Sequence, residues 1–224
     1  MDLALILSYL MLILGPIVFY FLSSGQKAMY GRYTVPSKIL VPAHITWMLQ
    51  ESPAFFIPLW YWFRTFIYPF KLQTVNQSPW FIVLSAFTFC LWNGYIQGEY
   101  NAHRQDSFSF CSFLVFVTGA LIFVTGAWLN VQADAHLRGL RKPGEFGYKI
   151  PTDGLFEYVS CANYTGEILE WAGFAIAAQN LAGLAFLVFT MCNLVPRAVK
   201  HHKWYQEKFK DYPKDRKAVI PFVL

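Results

Sequence analysis

The sequence predicts an all-α membrane protein, a polytopic bundle of seven transmembrane helices with its N-terminus outside and its C-terminus in the cytoplasm. Of the 224 residues, 56% are hydrophobic and only 14% are charged, whereas an ordinary soluble domain has about 25% charged residues. Several apolar runs reach the roughly 18 residues that indicate a membrane span. The four cysteines are scattered without a C-x-x-C pair, which argues against a disulfide framework or a zinc site. This composition excludes a secreted disulfide scaffold, a disordered chain and a soluble nucleotide-binding sheet domain.

Seven apolar stretches account for the predicted spans. The first, 3–22, has no basic region before it and no small-residue cleavage site after it, so we interpret it as an anchor and not as a signal peptide. Pro16 is a tolerated kink within this span. Residues 36–70 are short for the two spans expected there, because two spans and a turn need about 40 positions. The remaining stretches lie at about 36–49, 54–70, 80–98, 110–130, 164–178 and 181–196.

Lysine and arginine fall almost entirely on one side of this arrangement. The predicted inner segments, 23–35, 71–79, 131–163 and 197–224, hold nearly all of them, and the outer loops hold only Arg104. Because cytoplasmic loops carry the excess of basic residues, this bias predicts an odd number of spans and a cytoplasmic C-terminus. Topology and contact with anionic lipid account for the net charge of +5, so we expect no nucleic-acid partner. The five histidines form no HExxH motif or similar cluster, so we expect no metal.

Ionisable side chains inside predicted spans are costly in lipid and are therefore functional candidates; here they are Glu51, Arg64, Glu167 and Glu170. Asn163 precedes the last two at a spacing of i, i+4, i+7, which places these three residues on one helix face. Two carboxylates and an amide make an acceptor-rich strip that suits hydroxyl, amide or guanidinium donors, such as those of a ribose and a carboxamide. The alternative is that each side chain snorkels to the interface or forms a structural pair.

A second polar stripe runs from the fifth span into the cytoplasm. Asn130, Asp134, Arg138 and Arg141 recur at i, i+4, i+8, i+11, which places them on one side of a helix. A stripe that passes from amide and carboxylate to two guanidiniums suits a long, polar, partly anionic ligand. The alternative is the exposed end of an amphipathic helix with i, i+4 pairs.

The segment 140–160 follows this stripe and contains prolines and glycines that stop the helix. It brings Arg141, Tyr148 and two lysines together, and arginine binds phosphate in a bidentate geometry. The chain contains neither a Walker loop nor a G-x-G-x-x-G motif, so a dinucleotide would bind without a Rossmann fold. In the tail, His201 and Tyr205 share a helix face, although a lipid-surface helix explains this segment equally well.

These segments resemble the steroid 5α-reductase family of membrane enzymes. The most specific matches are LRGLRKPGEFGYKIPTDGLFEYVSCANYTGEILEWAGFA (137–175) and HHKWYQEKFKDYPKDRKAVIPF (201–222). Shorter matches occur at YGRYT (30–34), VPAHITWMLQESP (41–53), RTFIYP (64–69) and NGYIQG (93–98). Runs of this length are far more specific than a short motif.

The resemblance implies a single membrane-embedded domain over 1–224 that reduces the Δ4 double bond of a 3-oxo-steroid with NADPH. The cofactor would be held from the cytoplasmic side, mostly by residues 110–224. By matching motif, the cofactor contacts would be Asn130, Asp134, Arg138, Arg141, Tyr148, Asn163, Glu167, His201, Tyr205 and Arg216. The arginines could meet the 2′-phosphate that distinguishes NADPH from NADH.

The resemblance places Gln50, Glu51, Tyr61 and Arg64 at the steroid end of the site. A protonated Glu51, with Tyr61 as second donor, would polarise the C3 carbonyl in the manner of an oxyanion hole while hydride reaches C5. Glu51 and Tyr61 are only ten positions apart, about 15 Å along a helix, and family members carry a longer stretch here. We therefore expect residues to be absent near 57–60.

Three alternatives remain open: a related reductase of a sterol or an enoyl thioester, a membrane methyltransferase that uses S-adenosylmethionine, and a lipid-binding or transport protein. We expect a monomer that contacts membrane lipids and takes its steroid from the bilayer. The aromatic content, 22 Phe, 13 Tyr and 8 Trp, suits a flat apolar substrate, although packing and interfacial belts explain much of it. A bacterial inner membrane and an endoplasmic reticulum fit the sequence equally well.

Overall fold

The computed structural model describes residues 3–24, 40–42, 77–102, 110–140 and 147–224. These residues form five α-helices, one short 3-10 helix at Gly154–Glu157 and two three-residue strands. The strands β1, Leu40–Pro42, and β2, Gln77–Pro79, pair in antiparallel register. The helices are α1 Leu3–Ser23, α2 Trp80–Ala102, α3 Phe110–Gly139, α4 Ala162–Ala178 and α5 Leu181–Lys208.

Four of these helices, α1, α2, α3 and α5, are long and apolar enough to cross a membrane. Many of their large apolar side chains are exposed, for example Ile13, Leu84 and Val124 at 56–62% of their full area. An exposed apolar surface of this extent is typical of helices that face lipid. The prediction of an essentially helical membrane protein is confirmed at this level.

The described residues fall into two compact units. The first comprises Met1–Leu7 and Gly25–Arg104, and the second comprises Ser8–Ser24 and Gln105–Leu224. The first unit therefore contains the β1–β2 pair and α2, and the second contains α3, α4 and α5 with most of α1.

The β1 strand corrects one detail of the prediction. Leu40–Pro42 is extended and pairs with β2, with Leu40 opposite Pro79 and Pro42 opposite Gln77, so a continuous helix over 36–49 is wrong at these residues. Pro42 explains the difference, because a proline disfavours helical geometry in the residue before it. The rest of the predicted spans 36–49 and 54–70 lies outside the described residues.

The second unit is built on a close antiparallel contact between α3 and α4. Four glycines form it: Gly119 and Gly126 on α3, and Gly166 and Gly173 on α4. A Cβ added at Gly166 would lie 2.5 Å from the backbone nitrogen of Asn130, and one at Gly126 would overlap the backbone of Glu170. Without side chains at these positions the two backbones approach closely, as small residues allow in membrane helices.

A tight turn joins α4 to α5 and makes them an antiparallel pair. Gln179 ends α4 in the left-handed conformation with φ 50°, and its backbone N–H donates to the Ala175 carbonyl. Asn180 then caps α5, since its side chain accepts a hydrogen bond from the Gly183 backbone N–H at 2.8 Å. Trp171 and Phe186 pack edge to face across the pair, with ring centroids 4.5 Å apart.

Both long helices of this unit continue past the apolar stretches that predicted them. The span predicted at 110–130 is helical to Gly139, and the span predicted at 181–196 is helical to Lys208. The added turns are polar and carry many of the candidate site residues. The predicted boundaries at 3–22, 80–98 and 164–178 agree with α1, α2 and α4 within four residues.

Candidate functional site

The two polar stripes predicted from the sequence meet where α3 passes the first turn of α4. Asn130 is buried, with 4% of its surface exposed, and its side-chain amide donates to the Asn163 backbone carbonyl at 2.9 Å. Gly166 makes this approach possible, because its missing Cβ leaves room for the Asn130 backbone. The glycine contact therefore sets the position of the candidate polar site.

The other members of the stripes extend from this meeting point in opposite directions. Asp134 and Arg138 follow along α3 and are half-buried, and Glu167 is half-buried one turn into α4. Glu170 lies deeper, with 2% of its surface exposed, at the level where its backbone contacts Gly126. From the meeting point, the α3 stripe thus leads toward a carboxylate and a guanidinium on one side, and the α4 stripe leads toward two carboxylates on the other.

The segment after the stripe packs on the polar end of α5. The Tyr148 ring lies edge to face against Trp204, with centroids 4.8 Å apart. The Lys208 ammonium sits over both rings, 5.4 Å from the Tyr148 centroid and 5.0 Å from that of Trp204. These contacts hold Tyr148 beside α5 while 38% of its surface stays exposed, so the phenol remains accessible to a ligand.

His201 and His202 point to different neighbours, as their adjacency predicts. The His201 ring lies 6.2 Å from that of Tyr164 on α4. The His202 ring lies 5.9 Å from that of Tyr212, and its Nδ1 is 2.6 Å from the Ser160 hydroxyl. Only His201 is therefore directed to the same helix that carries Asn163 and Glu167.

Tyr205 and Arg216 belong to a buried aromatic cluster. Tyr205 stacks on Tyr212 with ring centroids 5.4 Å apart, and the Arg216 guanidinium lies over the Tyr212 ring at 5.2 Å. Arg216 is 2% exposed and donates through Nη1 to the Pro151 carbonyl at 2.9 Å. Its buried Nε has no hydrogen-bond partner among the residues that the structure describes. Arg216 thus ties the segment around Pro151 to the last part of the chain.

Sequence reasoning missed the polar network next to this cluster. The Ser160 hydroxyl lies 2.6 Å from both His202 Nδ1 and the Tyr212 hydroxyl, and donates to the Lys217 carbonyl at 3.1 Å. Ser160 is 42 to 57 positions away from these partners in the sequence. A lone serine carries no periodicity or motif, so no sequence signal indicated this role.

Five of the predicted site residues lie outside the part of the chain that the structure describes. They are Gln50, Glu51, Tyr61, Arg64 and Arg141. Among the residues described, no three His, Cys, Asp or Glu side chains are close enough to share a metal ion.

Comparison with known proteins decides the family. A model of the 3-oxo-5-alpha-steroid 4-dehydrogenase family matches residues 76–224, about two thirds of the chain. The chain belongs to this family. The resemblance inferred from the motifs is confirmed, and with it the assignment as an enzyme.

Several relatives in this family match most of the chain. The protein named 3-oxo-5-alpha-steroid 4-dehydrogenase 1 of Bos taurus is 40% identical over 97% of this chain and 96% of its own length. The human protein of the same name is 39% identical over 97% and 94%. Steroid 5-alpha-reductase DET2 of Gossypium hirsutum is 40% identical over 88% of each.

Membership in this family makes the chain an oxidoreductase of steroid metabolism. The four apolar helices fit a multi-pass membrane protein. An oxidoreductase of this kind implies a nicotinamide cofactor. The described side chains fit such a ligand, because carboxylates such as Glu167 accept from ribose hydroxyls and Arg138 suits a phosphate. Membership also sets aside the methyltransferase and the transport protein as alternatives.

The alignment with the bovine member of the 3-oxo-5-alpha-steroid 4-dehydrogenase family runs over 247 positions, more than the 224 residues of this chain. The relative therefore has residues that this chain lacks. This agrees with the expectation that family members have a longer stretch between the LQE and RTF segments. The expected location of the missing residues, near 57–60, stays a prediction.

Proposed function

We propose that this chain catalyses the NADPH-dependent reduction of the Δ4 double bond of a 3-oxo-Δ4-steroid to the 5α-dihydro product. The observation that carries the proposal is the family match over residues 76–224, together with relatives named 3-oxo-5-alpha-steroid 4-dehydrogenase 1 that are about 40% identical to this chain. The contact between Asn130 and the Asn163 backbone supports it independently. It brings the two polar stripes together in the matched part of the chain.

The proposed architecture is a single functional domain, 1–224, with seven membrane-spanning helices, the N-terminus outside and the C-terminus in the cytoplasm. Four described helices are suitable as spans, and α4 accounts for a fifth. The other two would lie between β1 and β2, after the extended residues 40–42, and the residues expected to be absent near 57–60 would complete their length. The excess of lysine and arginine in the segments 131–163 and 197–224 supports this orientation.

NADPH would be held mainly by residues 110–224. The carboxylates of Asp134 and Glu167 suit the ribose hydroxyls, and Asn130 and Asn163 suit the carboxamide. Arg138 and Arg141, with Tyr148, suit the phosphates, including the 2′-phosphate. When bound, the cofactor would supply the hydride to C5, and a proton from solvent or a nearby acid would then complete the reduction at C4. His201, Tyr205 and Arg216 complete the proposed set, and Arg216 would act partly by holding the Pro151 segment in place.

Glu51 and Tyr61 would donate hydrogen bonds to the C3 carbonyl and stabilise the enolate oxygen as negative charge develops on it. Glu51 must be protonated to donate, and a carboxyl group in an apolar span favours its neutral form. Gln50 and Arg64 would orient the steroid beside this pair. The steroid would enter from the lipid, and we propose a monomer that needs neither metal nor nucleic acid.

The test is incubation of the purified protein with NADPH and a panel of 3-oxo-Δ4-steroids, sterols and enoyl thioesters. We expect NADPH consumption that depends on a 3-oxo-Δ4-steroid, and a product with 5α stereochemistry. Consumption with a sterol or an enoyl thioester alone would identify the alternative reductase. If no member of the panel causes oxidation of NADPH by folded protein, the proposal fails.

Replacement of Glu51 tests the proposed mechanism. We expect Glu51→Gln to lower kcat by about 10²–10³-fold, because one oxyanion-hole donor contributes about 3–4 kcal/mol. The affinity for NADPH, measured by fluorescence titration, should change little, because Glu51 would contact the steroid. Unchanged turnover in this variant would remove Glu51 from the proposed reaction.

A further inference from the structure

The last residues of the chain form a strained and exposed apolar turn. Phe222 has φ 65°, a left-handed conformation that is a genuine outlier for a bulky residue. The backbone N–H groups of Val219 and Ile220 donate to the Leu224 carbonyl at 2.7 and 2.6 Å, and the Leu224 N–H donates back to the Ile220 carbonyl at 3.0 Å. These bonds hold the turn in its strained form.

The turn presents its largest side chains outward. Phe222 is 79% exposed and Val223 73%. Tyr158, from the short 3-10 region, packs its ring edge to face against Phe222 at 5.5 Å and is itself half exposed. We call this surface the apolar tip, formed by Tyr158, Ile220, Phe222, Val223 and Leu224. A strained backbone that exposes a phenylalanine indicates that the side chain has a role outside the folded core.

The residues just before the tip are fixed to the start of α4 and to the middle of α5. Ser160 and Cys161 donate backbone hydrogen bonds to the carbonyls of Lys217 and Ala218. The Thr165 hydroxyl donates to the Val219 carbonyl at 2.6 Å. Ala218 and Val219 are buried in a core cluster with Cys161 and Ala198. The tip therefore cannot move far from the start of α4 and the middle of α5.

Those two helix positions lie near the ends of spans predicted from the sequence. The apolar stretch on α4 begins at 164 and that on α5 ends at 196, so Cys161 and Ala198 each lie within one helical turn of a predicted span end. Because α4 and α5 are antiparallel, these two ends lie at the same level. In a bilayer, the tip would be held at that level, where the headgroups meet the acyl chains.

The charges around the tip suit the same environment. Residues 197–217 contain eight basic and three acidic side chains, and Lys214 and Lys217 precede the turn directly. An apolar surface rimmed by lysines is the pattern of elements that lie in the interface of a bilayer with anionic lipid.

We propose that the apolar tip is an interfacial anchor whose side chains insert into the headgroup region of the bilayer beside α4 and α5. The anchor would keep the segment 216–219, and with it Arg216 and the Ser160 network, pressed against the helices. The proposal requires that the chain is embedded in a membrane. It does not depend on which substrate the enzyme reduces.

The test places an environment-sensitive nitrobenzoxadiazole label at single cysteines in the full chain. The three native cysteines that are not buried, Cys90, Cys111 and Cys192, are first replaced by alanine, and buried Cys161 is kept. The protein is then put in nanodiscs of phosphatidylcholine and phosphatidylglycerol. The test variants are Phe222→Cys and Val223→Cys. The water control is Lys214→Cys, exposed in the same segment, and the lipid control is Val124→Cys, exposed on α3.

We expect the label at both tip positions to have its emission maximum at a shorter wavelength than the label at the Lys214 control position. A lipid that carries a nitroxide near the top of its acyl chain should quench the tip labels at least as strongly as the label at Val124. Water-like emission at both positions would overturn the proposal. A blue shift without quenching by the labelled lipid would also overturn it, because a protein surface would then cover the tip.

Discussion

The Asn130 side chain joins α3 to α4 by a hydrogen bond to the backbone carbonyl of Asn163. Because the Asn163 side chain takes no part in this bond, the structural roles of the two residues can be tested separately. We expect Asn130→Ala to lower the unfolding free energy by about 0.5–1.5 kcal/mol, because one hydrogen bond between two helices is lost while the Asn163 carbonyl keeps its bond within α4. Asn163→Ala keeps that carbonyl and the bond to Asn130, so it should cost clearly less stability. Thermal unfolding of the purified variants measures both effects.

The same pair distinguishes packing from cofactor binding. Both side chains are assigned to the cofactor, but only that of Asn130 bonds the other helix. Asn163→Ala should therefore weaken NADPH binding in a fluorescence titration while the melting temperature stays near that of the parent, whereas Asn130→Ala should lower both. Equal destabilisation by the two alanine variants would contradict the role given to the Asn130 amide.

Ser160 connects three parts of the chain through one hydroxyl. We expect Ser160→Ala to lower the unfolding free energy by about 1–3 kcal/mol, because His202, Tyr212 and the Lys217 carbonyl lose a shared buried partner. Ser85→Ala on α2 is the matched control, since among the described residues that exposed hydroxyl donates to the Ile82 carbonyl within its own helix, and its effect should stay within about 0.5 kcal/mol. Equal melting temperatures for the two variants would show that the network adds no stability.

The α3–α4 pair depends on glycines whose replacement has predictable consequences. We expect Gly126→Ala to destabilise the protein by about 1–3 kcal/mol or more, because the new methyl group meets the Glu170 backbone, which cannot move aside as a side chain can. The helices would have to separate, and Asn130 would move away from Asn163. NADPH affinity should therefore fall together with the melting temperature.

Gly139→Ala is the control on the same helix. An added Cβ there meets nothing within 4 Å, and alanine favours helix over glycine by up to about 1 kcal/mol. We expect unchanged or slightly raised stability and unchanged NADPH binding. If Gly126→Ala behaved in the same way, the close helix contact would not be important for the site.

The sequence predicted the helices well because apolar runs and i, i+4 spacing, which are visible within a short segment, determine where helices form. Apolar runs located α1, α3 and α5, and i, i+4 spacing correctly placed Asn130, Asp134 and Arg138 on a helix that continues past the span. The extended β1 strand was missed because hydropathy does not distinguish a short apolar strand from a helix.

Contacts between distant segments could not be predicted in this way. The bond from Asn130 to the Asn163 backbone and the network around Ser160 depend on how helices pack, and hydrogen-bonding residue types alone do not indicate their partners. Arg216 is an example of a residue whose contacts the sequence does not indicate. Its family motif marked it as a cofactor contact, whereas its bond to Pro151 and its place over Tyr212 became visible only in the folded chain.

The topology of the whole protein makes a direct prediction about access from each side of the membrane. In a Cys111→Ser background, a membrane-impermeant thiol reagent should label Lys214→Cys in sealed vesicles whose cytoplasmic face is outward, because the basic segment 197–224 is assigned to the cytoplasm. Arg104→Cys, in a predicted outer loop, should react only after permeabilisation. The reverse pattern would contradict the proposed orientation.

The length of α3 has a consequence for how the two reactants arrive. Its 30 residues extend about 45 Å, whereas the hydrocarbon layer is about 30 Å thick. In the proposed orientation, the turns that carry Asp134 and Arg138 would therefore stand in water. A water-soluble dinucleotide would bind there from the aqueous phase, and an apolar substrate would arrive laterally from the lipid. On this proposal the two reactants use separate entrances, and each stays in the phase that dissolves it until it is bound.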